Sequence, residues 1–336
     1  MCSSDLLMIH GIMDTEFSSF MYPVMGQVAD IPKEDFVKMA EIPLDALTAL
    51  PAEHRKPLVI SSFVTHADHA TRTLLEHRIP HFDMPEKAGR AMAALCQHYR
   101  IRQRAEYVPP TAAEAPEEAR KIFADLAGDA PDEFTAKSVL KAYSIPVTRE
   151  YRVQTESEAL DAARRIGFPV AVKVCSPDIL HKTEEGMVFL SIDDAPALSR
   201  AFERIRAKLP DTPVLVSEML RGDREFVAGI SKFPGFPPCV MFGIGGVFTE
   251  ALRDIAIRLA PLTRPEAGEL MNAIEARDLL GAFRGMPAVD TSALGELLMN
   301  LGRLALDFPR IREIDLNPIM IVEGRPKVVD ALFVMK

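Results

Sequence analysis

AVKVCSPDILHKTEEGMVFL, Ala171 to Leu190, is the stretch whose reading decides the fold. It opens as an apolar strand interrupted by Lys173 and closes on the start of a second strand, with His181 in the loop between them. An ammonium buried without a partner is costly, so Lys173 should meet an anion, either from the core or from a ligand. A structural histidine is content with one hydrogen bond on a packed face, whereas His181 stands among Lys182, Thr183, Glu184 and Gly186. It reads as a solvated or helix-capping residue, or as a nucleophile. Neutral imidazole has an exposed lone pair and can take a phosphoryl group into a covalent intermediate. The lysines and Gly186 would then help hold a phosphate whose charge is spread over three oxygens.

The pattern around this stretch is α+β. EFTAKSVLKAYSIPV predicts an amphipathic helix that ends before Ile145-Pro146, because the residue ahead of a proline is driven out of the helical region. ESEALDAARRIG predicts another, with Gly167 just past its end where a positive φ is needed. FPVAVKV, PVLVSEML, REFVAGISKF and CVMFGIGG read as strands, and APALSRAFERIRAKL and TSALGELLMNLGRLALDF as helices. IREIDLNPIMIV and RPKVVDALFV read as two strands joined by the turn EGRP, a hairpin.

Upstream, residues 1–105 alternate strand-like runs (DLLMIHGI, KPLVISSFV, HRIPHF) with helical ones (TRTLLEH, PEKAGRAMAALCQHYRIRQR), as an α/β doubly wound domain does. Only about three strands result, where such sheets usually have about five or six. This part is expected to be either a minimal domain or the rear of a larger one. Residues 106–130, with their prolines and many Ala and Glu, read as a linker that is partly helical.

Composition narrows the function. The chain has 336 residues, 48% hydrophobic and 26% charged, enough for two or three domains with their own cores. A net charge of -9 argues against nucleic acid and requires anions to be bound by local lysines, glycines and helix N-termini. Cys2, Cys96, Cys175 and Cys239 have neither CxxC nor metal-ligand spacing, as in a reduced cytoplasmic protein. No apolar run approaches the ~18 residues of a membrane span, and the start has no basic leader.

No GxxxxGK[ST], HExxH or GxSxG motif occurs. The glycines of GIGG (Gly243, Gly245, Gly246) read alone as a turn, since Phe248 breaks a dinucleotide fingerprint. Glu218 and Glu225 bracket a short connection of the kind that lines a cleft, or are solvated. In EIDLNPIM, Asp315 and Asn317 are two apart and so point the same way on an extended chain, and Asp330 returns on the partner strand. Oxygen ligands converging from adjacent strands suit Mg²⁺, although from the hairpin alone an N-P turn with a solvated Asp is the favoured reading.

Taken together, KSVLKAYSIPVT, IGFPVAVKVCSPDILHKTEEG, VSEMLRGDREFVAGI, VMFGIGGVFTEALRDIAIRLAPLT and EIDLNPIM resemble the ATP-grasp half of the NDP-forming (ADP-forming) acyl-CoA synthetases, an acetate–CoA ligase family related to succinyl-CoA ligase. KPLVISSF and IPHFDMPEKAGRAMAALCQHY resemble the last flavodoxin-like part of the same family's CoA-ligase region. The resemblance implies a partial flavodoxin-like domain over 1–105, a linker over 106–130 and a two-lobed ATP-grasp domain over 131–336. It implies that acid, ATP and CoA are exchanged for acyl-CoA, ADP and phosphate through a phosphohistidine.

Carried over residue by residue, Lys173 matches the phosphate-binding lysine and Glu218 the adenine-side hinge. Asn317 and Asp330 match the magnesium pair, with Asp315 a close neighbour, and His181 matches the histidine of a swinging loop. Glu225, Gly245, Gly246 and Arg258 fall in segments near the nucleotide. Two departures stand out: Met187 replaces the second glycine usual after the loop histidine, which bears on loop travel, and Ser144 stands where a glycine usually precedes Ile145, a change read as harmless.

The family's CoA-binding domain and first active-site histidine are not located in this chain. CoA and the acid are therefore expected to bind largely outside it, on a missing domain or partner subunit within an oligomer, leaving this chain the nucleotide half-reaction. The alternatives are an ATP-binding regulatory or assembly module without chemistry, and a ligation of the biotin-carboxylase sort, which leaves the HKTE loop unexplained.

Overall fold

The computed structural model describes residues 7–11, 15–39, 44–62, 69–103, 114–126, 130–176, 186–222, 224–246 and 254–336. His181 lies outside the described residues. The chain divides into two units, Met1–Val108 and Pro109–Lys336.

In the first unit, β1 (Leu7–His10), β2 (Leu58–Ser61) and β3 (His81–Phe82) form a parallel sheet in the order β1-β2-β3. The run Leu58-Val59-Ile60 is buried throughout, as a parallel strand covered on both faces should be. The small core joins Leu58 and Ile60 to Leu74 and Ile79. Helices α4 (His69–Glu76) and α5 (Pro85–Arg102) stand where the sequence places them. Helices α1 (Thr15–Ala29), α2 (Lys33–Met39) and α3 (Leu44–His54) fill the interval between the first two strands, which the sequence pattern left unassigned.

The second unit begins with a correction. Within the expected linker, α6 (Glu117–Asp125) belongs to the core: Ala119 is fully buried and the Phe123 ring lies 4.1 Å from that of Phe308. Ala119, Ile122 and Phe123 have the i, i+3, i+4 spacing of one helix face, which the surrounding Ala and Glu residues disguise.

Next comes α7 (Glu133–Ala142), whose N-cap Asp132 accepts a 2.8 Å hydrogen bond from the Thr135 amide. The helix ends at Ala142, and two residues on Ser144 has φ of 57° and is followed by Ile145-Pro146. A serine side chain in that conformation is strained by about 1 kcal/mol, and the glycine usual there is not. Ser144→Gly should therefore raise the thermal midpoint by about 1–3 °C, less than the full strain because glycine also frees the unfolded chain. A thermal melt of the two proteins checks this.

Strands β4 (Glu150–Val153), β5 (Val170–Val174), β6 (Val188–Ile192) and β7 (Val214–Glu218) form an antiparallel sheet ordered β4-β7-β5-β6. Helices α8 (Glu156–Ile166) and α9 (Ala195–Lys208) cover it, and Val170, Val172 and Val174 join their core residues Ala159, Ala163, Leu198 and Ile205. Gly167 closes α8 with φ of 92°, as expected. Because side chains alternate along a strand, Lys173 leaves the sheet on the face opposite those valines. Met187 is buried in the same core, and its carbonyl accepts from the Val174 amide at 3.2 Å.

Six strands build the larger sheet: β8 (Arg224–Ser231), β9 (Cys239–Ile244), β10 (Ile255–Leu259), β11 (Ile311–Val322), β12 (Arg325–Val328) and β13 (Leu332–Met335). The order is β10-β9-β8-β11-β12, with β13 also paired to β11. Helices α10 (Arg264–Asn272) and α11 (Thr291–Asp307) pack on one face, burying Leu270, Leu294, Leu298 and Leu301 with Phe226, Phe242, Ile314 and Ile319. Asp315 and Asn317 are exposed on the other face.

The terminal hairpin forms with Glu323 and Gly324, both at positive φ, as its two turn residues. RPKVVDALFV is not one strand, however. Val328 gives its amide to the Pro146 carbonyl and accepts from the Thr148 amide, so the chain turns away after β12. It rejoins β11 farther along as β13, and Asp330 sits in the break.

Candidate nucleotide site

Lys173 meets carboxylates on two sides. Its ammonium contacts Glu133 Oε1, at the first turn of α7, and lies 3.6 Å from Asp330 Oδ2, beyond β12. The strand lysine of the smaller sheet and the acidic break of the larger one therefore come together. Burial opposes the charge on Lys173, but the Glu133 carboxylate above all, and then Asp330, hold its proton more firmly than in a free lysine.

A second buried lysine stands beside it. Lys137 Nζ lies 2.9 Å from Glu133 Oε1, 2.7 Å from Glu150 Oε2 and 3.0 Å from Thr148 Oγ1. The side chains of Lys137, Glu133 and Glu150 are each at most 5% exposed. Burial raises the Glu150 carboxyl above its ordinary value, against the opposing pull of Lys137. The sequence reading missed these three residues. Their signal was Glu133 and Lys137 four apart, which in a helix usually marks a solvated pair; the apolar neighbours Ala136 and Val139 argued otherwise.

At the terminal strands, Asp315 pairs in register with Leu332, and Val329 donates to the Pro318 carbonyl at 3.0 Å. Asn317 and Pro318 fall in an irregularity of the β11–β8 register between Leu316 and Ile319, the kind of bulge that re-aims a side chain. Surrounding protein, and secondarily the Asp330 charge, raise the Asp315 carboxyl above its usual range, so the two acids lie close enough to feel one another. Two carboxylates and an amide oxygen are hard donors of the type Mg²⁺ takes. Among the described residues no group of three or more His, Cys, Asp or Glu could hold a metal by itself, so such a site would lean on Asn317 and on oxygens from outside the protein.

Glu218 ends β7, where it accepts from the Arg149 amide at 2.8 Å, from Arg149 Nε at 3.0 Å and from Lys327 Nζ at 2.8 Å. Burial raises its carboxyl, but these bonds outweigh that and leave it below the ordinary glutamate range. The stabilisation is complete above that range and is lost as pH falls through the lower folded value. Glu218→Gln should thus lower stability at neutral pH and flatten the acid-side decline; urea midpoints at several pH values below neutrality measure both.

The glycine turn is crowded. A Cβ on Gly245 would lie 2.9 Å from backbone atoms of Glu225 and Phe226, and Gly246 has φ of 78° with the Glu225 carboxylate against it. Glu225, Gly245 and Gly246 are thus neighbours, with no described contact to Lys173. Arg258 does not join them. Its register partners Val240, Ile230 and Ile314 lie on the helix-covered face, opposite Asp315, and its guanidinium donates to the Ile257 carbonyl. The sequence alone could not show this, because which face a residue takes depends on pairing register.

The ATP-grasp domain family matches residues 124–335. The chain is 38% identical over 207 residues to the beta subunit of an ADP-forming acetate–CoA ligase I from Pyrococcus furiosus, a match that spans 60% of this chain and 89% of that protein. This chain belongs to the ATP-grasp family of the ADP-forming acyl-CoA synthetases. An ADP-forming acetate–CoA ligase I from Archaeoglobus fulgidus is 34% identical over 80% of the chain, which spans only 40% of that longer protein. An acetyl-coenzyme A synthetase from Ca. Korarchaeum cryptofilum, solved with coenzyme A and Mg-AMPPCP and with a phosphohistidine segment pointing towards its nucleotide binding site, matches with a TM-score of 0.58. It is 33% identical, with 65% of this chain and all of that one covered. The ATP-grasp family assignment accords with the motif reading. In this family member no helix among the described residues is long and apolar enough to cross a membrane.

Proposed function

We propose that this chain is the nucleotide-handling part of an ADP-forming acid–CoA ligase, moving a phosphoryl group between ATP and His181. The observation that carries the reading is the approach of Lys173 to Asp330, which joins a buried cation on one sheet to the proposed metal-binding break of the other. Asp315, Asn317 and Asp330 would hold Mg²⁺, whose charge would offset that of the phosphates. Lys173 would bind phosphate oxygens, and Glu218, fixed by Arg149 and Lys327, would border the base. The His181 imidazole attacks the γ-phosphorus, an N–P bond forms as the bond to the β–γ bridging oxygen breaks, ADP leaves, and the ring proton is released.

The reverse step would use a phosphohistidine charged from an acyl phosphate. Acid and CoA would bind mainly on a CoA-binding domain or partner subunit in a cytoplasmic oligomer. The test is incubation with γ-labelled ATP and Mg²⁺: the chain should gain acid-labile, base-stable phosphate, and a chain that gains none refutes the reading. A second reading, ATP binding without chemistry, draws on Met187, which is buried in the smaller sheet's core at a place where the family usually has glycine. It expects protection by ATP against thermal unfolding with no label.

A further inference from the structure

The two buried lysines differ in how their ammonium groups are held. Each has three donor hydrogens. Lys137 donates to Thr148 Oγ1 at 3.0 Å and to Glu150 Oε2 at 2.7 Å, and forms an ion pair with Glu133 Oε1 at 2.9 Å. Lys173 has one close partner among the described residues, Glu133, while Asp330 at 3.6 Å is an ion-pair neighbour beyond normal hydrogen-bond length. A single oxygen, Glu133 Oε1, therefore pairs with both ammonium groups; Lys137 is tied in addition to Thr148 and Glu150, while Lys173 has Asp330 beside it.

Glu133 is itself held rigidly. It is the first helical residue of α7, directly after the Asp132 cap, a place where the helix dipole favours a carboxylate. Asp132 in turn accepts from Arg152 Nη1 at 2.9 Å. A side chain as long as lysine has several rotatable bonds, and the single carboxylate at its tip removes that freedom.

We propose that Glu133 is a positioning residue for phosphoryl transfer: anchored at the start of α7 and braced by Lys137, it aims the Lys173 ammonium at the Asp330 side of the site without touching nucleotide. This rests on the transfer reading above. Four buried charges, Glu133, Lys137, Glu150 and Lys173, balance one another, and Asp330 adds a fifth at the margin. The acids around Lys173 are thus Glu133 on α7, Glu150 on β4 and Asp330 beyond β12, with Lys137 the opposing cation.

The experiment compares initial labelling rates of the full chain over a range of γ-labelled Mg-ATP concentrations, in wild type, Glu133→Gln and Glu133→Asp. Glu133→Gln keeps the shape and removes the anion. Its rate should fall about 10–100-fold, the order of loss for a displaced catalytic group, while the ATP concentration giving half-maximal rate moves much less. Glu133→Asp restores the charge at shorter reach, so its rate should recover part of the loss and stay about tenfold low. Should Glu133→Gln fail to fold, the aspartate variant decides alone: labelling at the wild-type rate overturns the role. An unchanged rate in folded Glu133→Gln also overturns it. A wild type that takes no label removes the transfer reading and this role with it, whereas a labelled wild type beside an equally fast Glu133→Gln removes this role only.

Discussion

In the His181→Ala variant, transfer of label from γ-labelled ATP to the chain should drop to background, by about 10³-fold or more. Removing a covalent nucleophile typically costs at least that much, because no other group is positioned to form the bond. The stability of the adduct adds a second criterion, since an N–P bond to imidazole survives base and breaks in acid while a serine or threonine ester does the reverse. Binding should remain. The groups proposed to hold the nucleotide, Lys173, Asp315, Asn317 and Asp330, come from β5 and the terminal strands, so Mg-ATP should still raise the thermal midpoint of the variant. Label that persists in His181→Ala would remove the histidine from the reaction, and loss of thermal protection together with label would point to a damaged fold.

Lys137→Met should produce the largest loss of stability, about 3–5 kcal/mol, by breaking a buried ion pair from one side. Glu133 would keep Lys173, but among the described residues Glu150 would be left with only the Thr148 hydroxyl as a hydrogen-bond donor, 3.2 Å away. For a unit of this size the midpoint should fall by roughly 10 °C. The loss should depend on pH in a defined sense. Glu150 already has a raised carboxyl in the folded protein, and losing Lys137 raises it further, so the folded state takes up a proton more readily than the unfolded one. Its penalty is therefore relieved as pH falls and is fully present above the folded value. Urea unfolding near pH 5 and near pH 8 should show the smaller deficit at the lower pH, and Glu150→Gln in the same chain should recover part of the loss. Equal deficits at both pH values would assign the loss to packing alone.

Local patterns made some of this structure legible and left the rest hidden. Lys173 stood out because a cation in AVKV violates the strand's apolar pattern, and the structure supplies the anions that resolve it. The terminal hairpin was readable from its turn glycine and alternating residues. Helix α6 was hidden because alanines with two aromatic or aliphatic anchors resemble a linker until Phe308 arrives from far along the chain. Glu133 and Lys137 were hidden for a similar reason: their burial depends on Thr148, Glu150 and Lys173, which only the fold brings near. The break at Asp330 arises from competition between β11 and the Pro146–Thr148 segment for the backbone of Val328, which no run of residues in RPKVVDALFV announces.

Strand β11 serves β8, β12 and β13 at once, and the hairpin corner at Gly324 lies against the Ala288 carbonyl, where a Cβ would come within 2.9 Å. A one-residue slip at that corner would turn Asp315 and Asn317 to the helix-covered side. Variants there would masquerade as active-site lesions in a random mutagenesis screen, silencing the protein from a corner that meets no reactant.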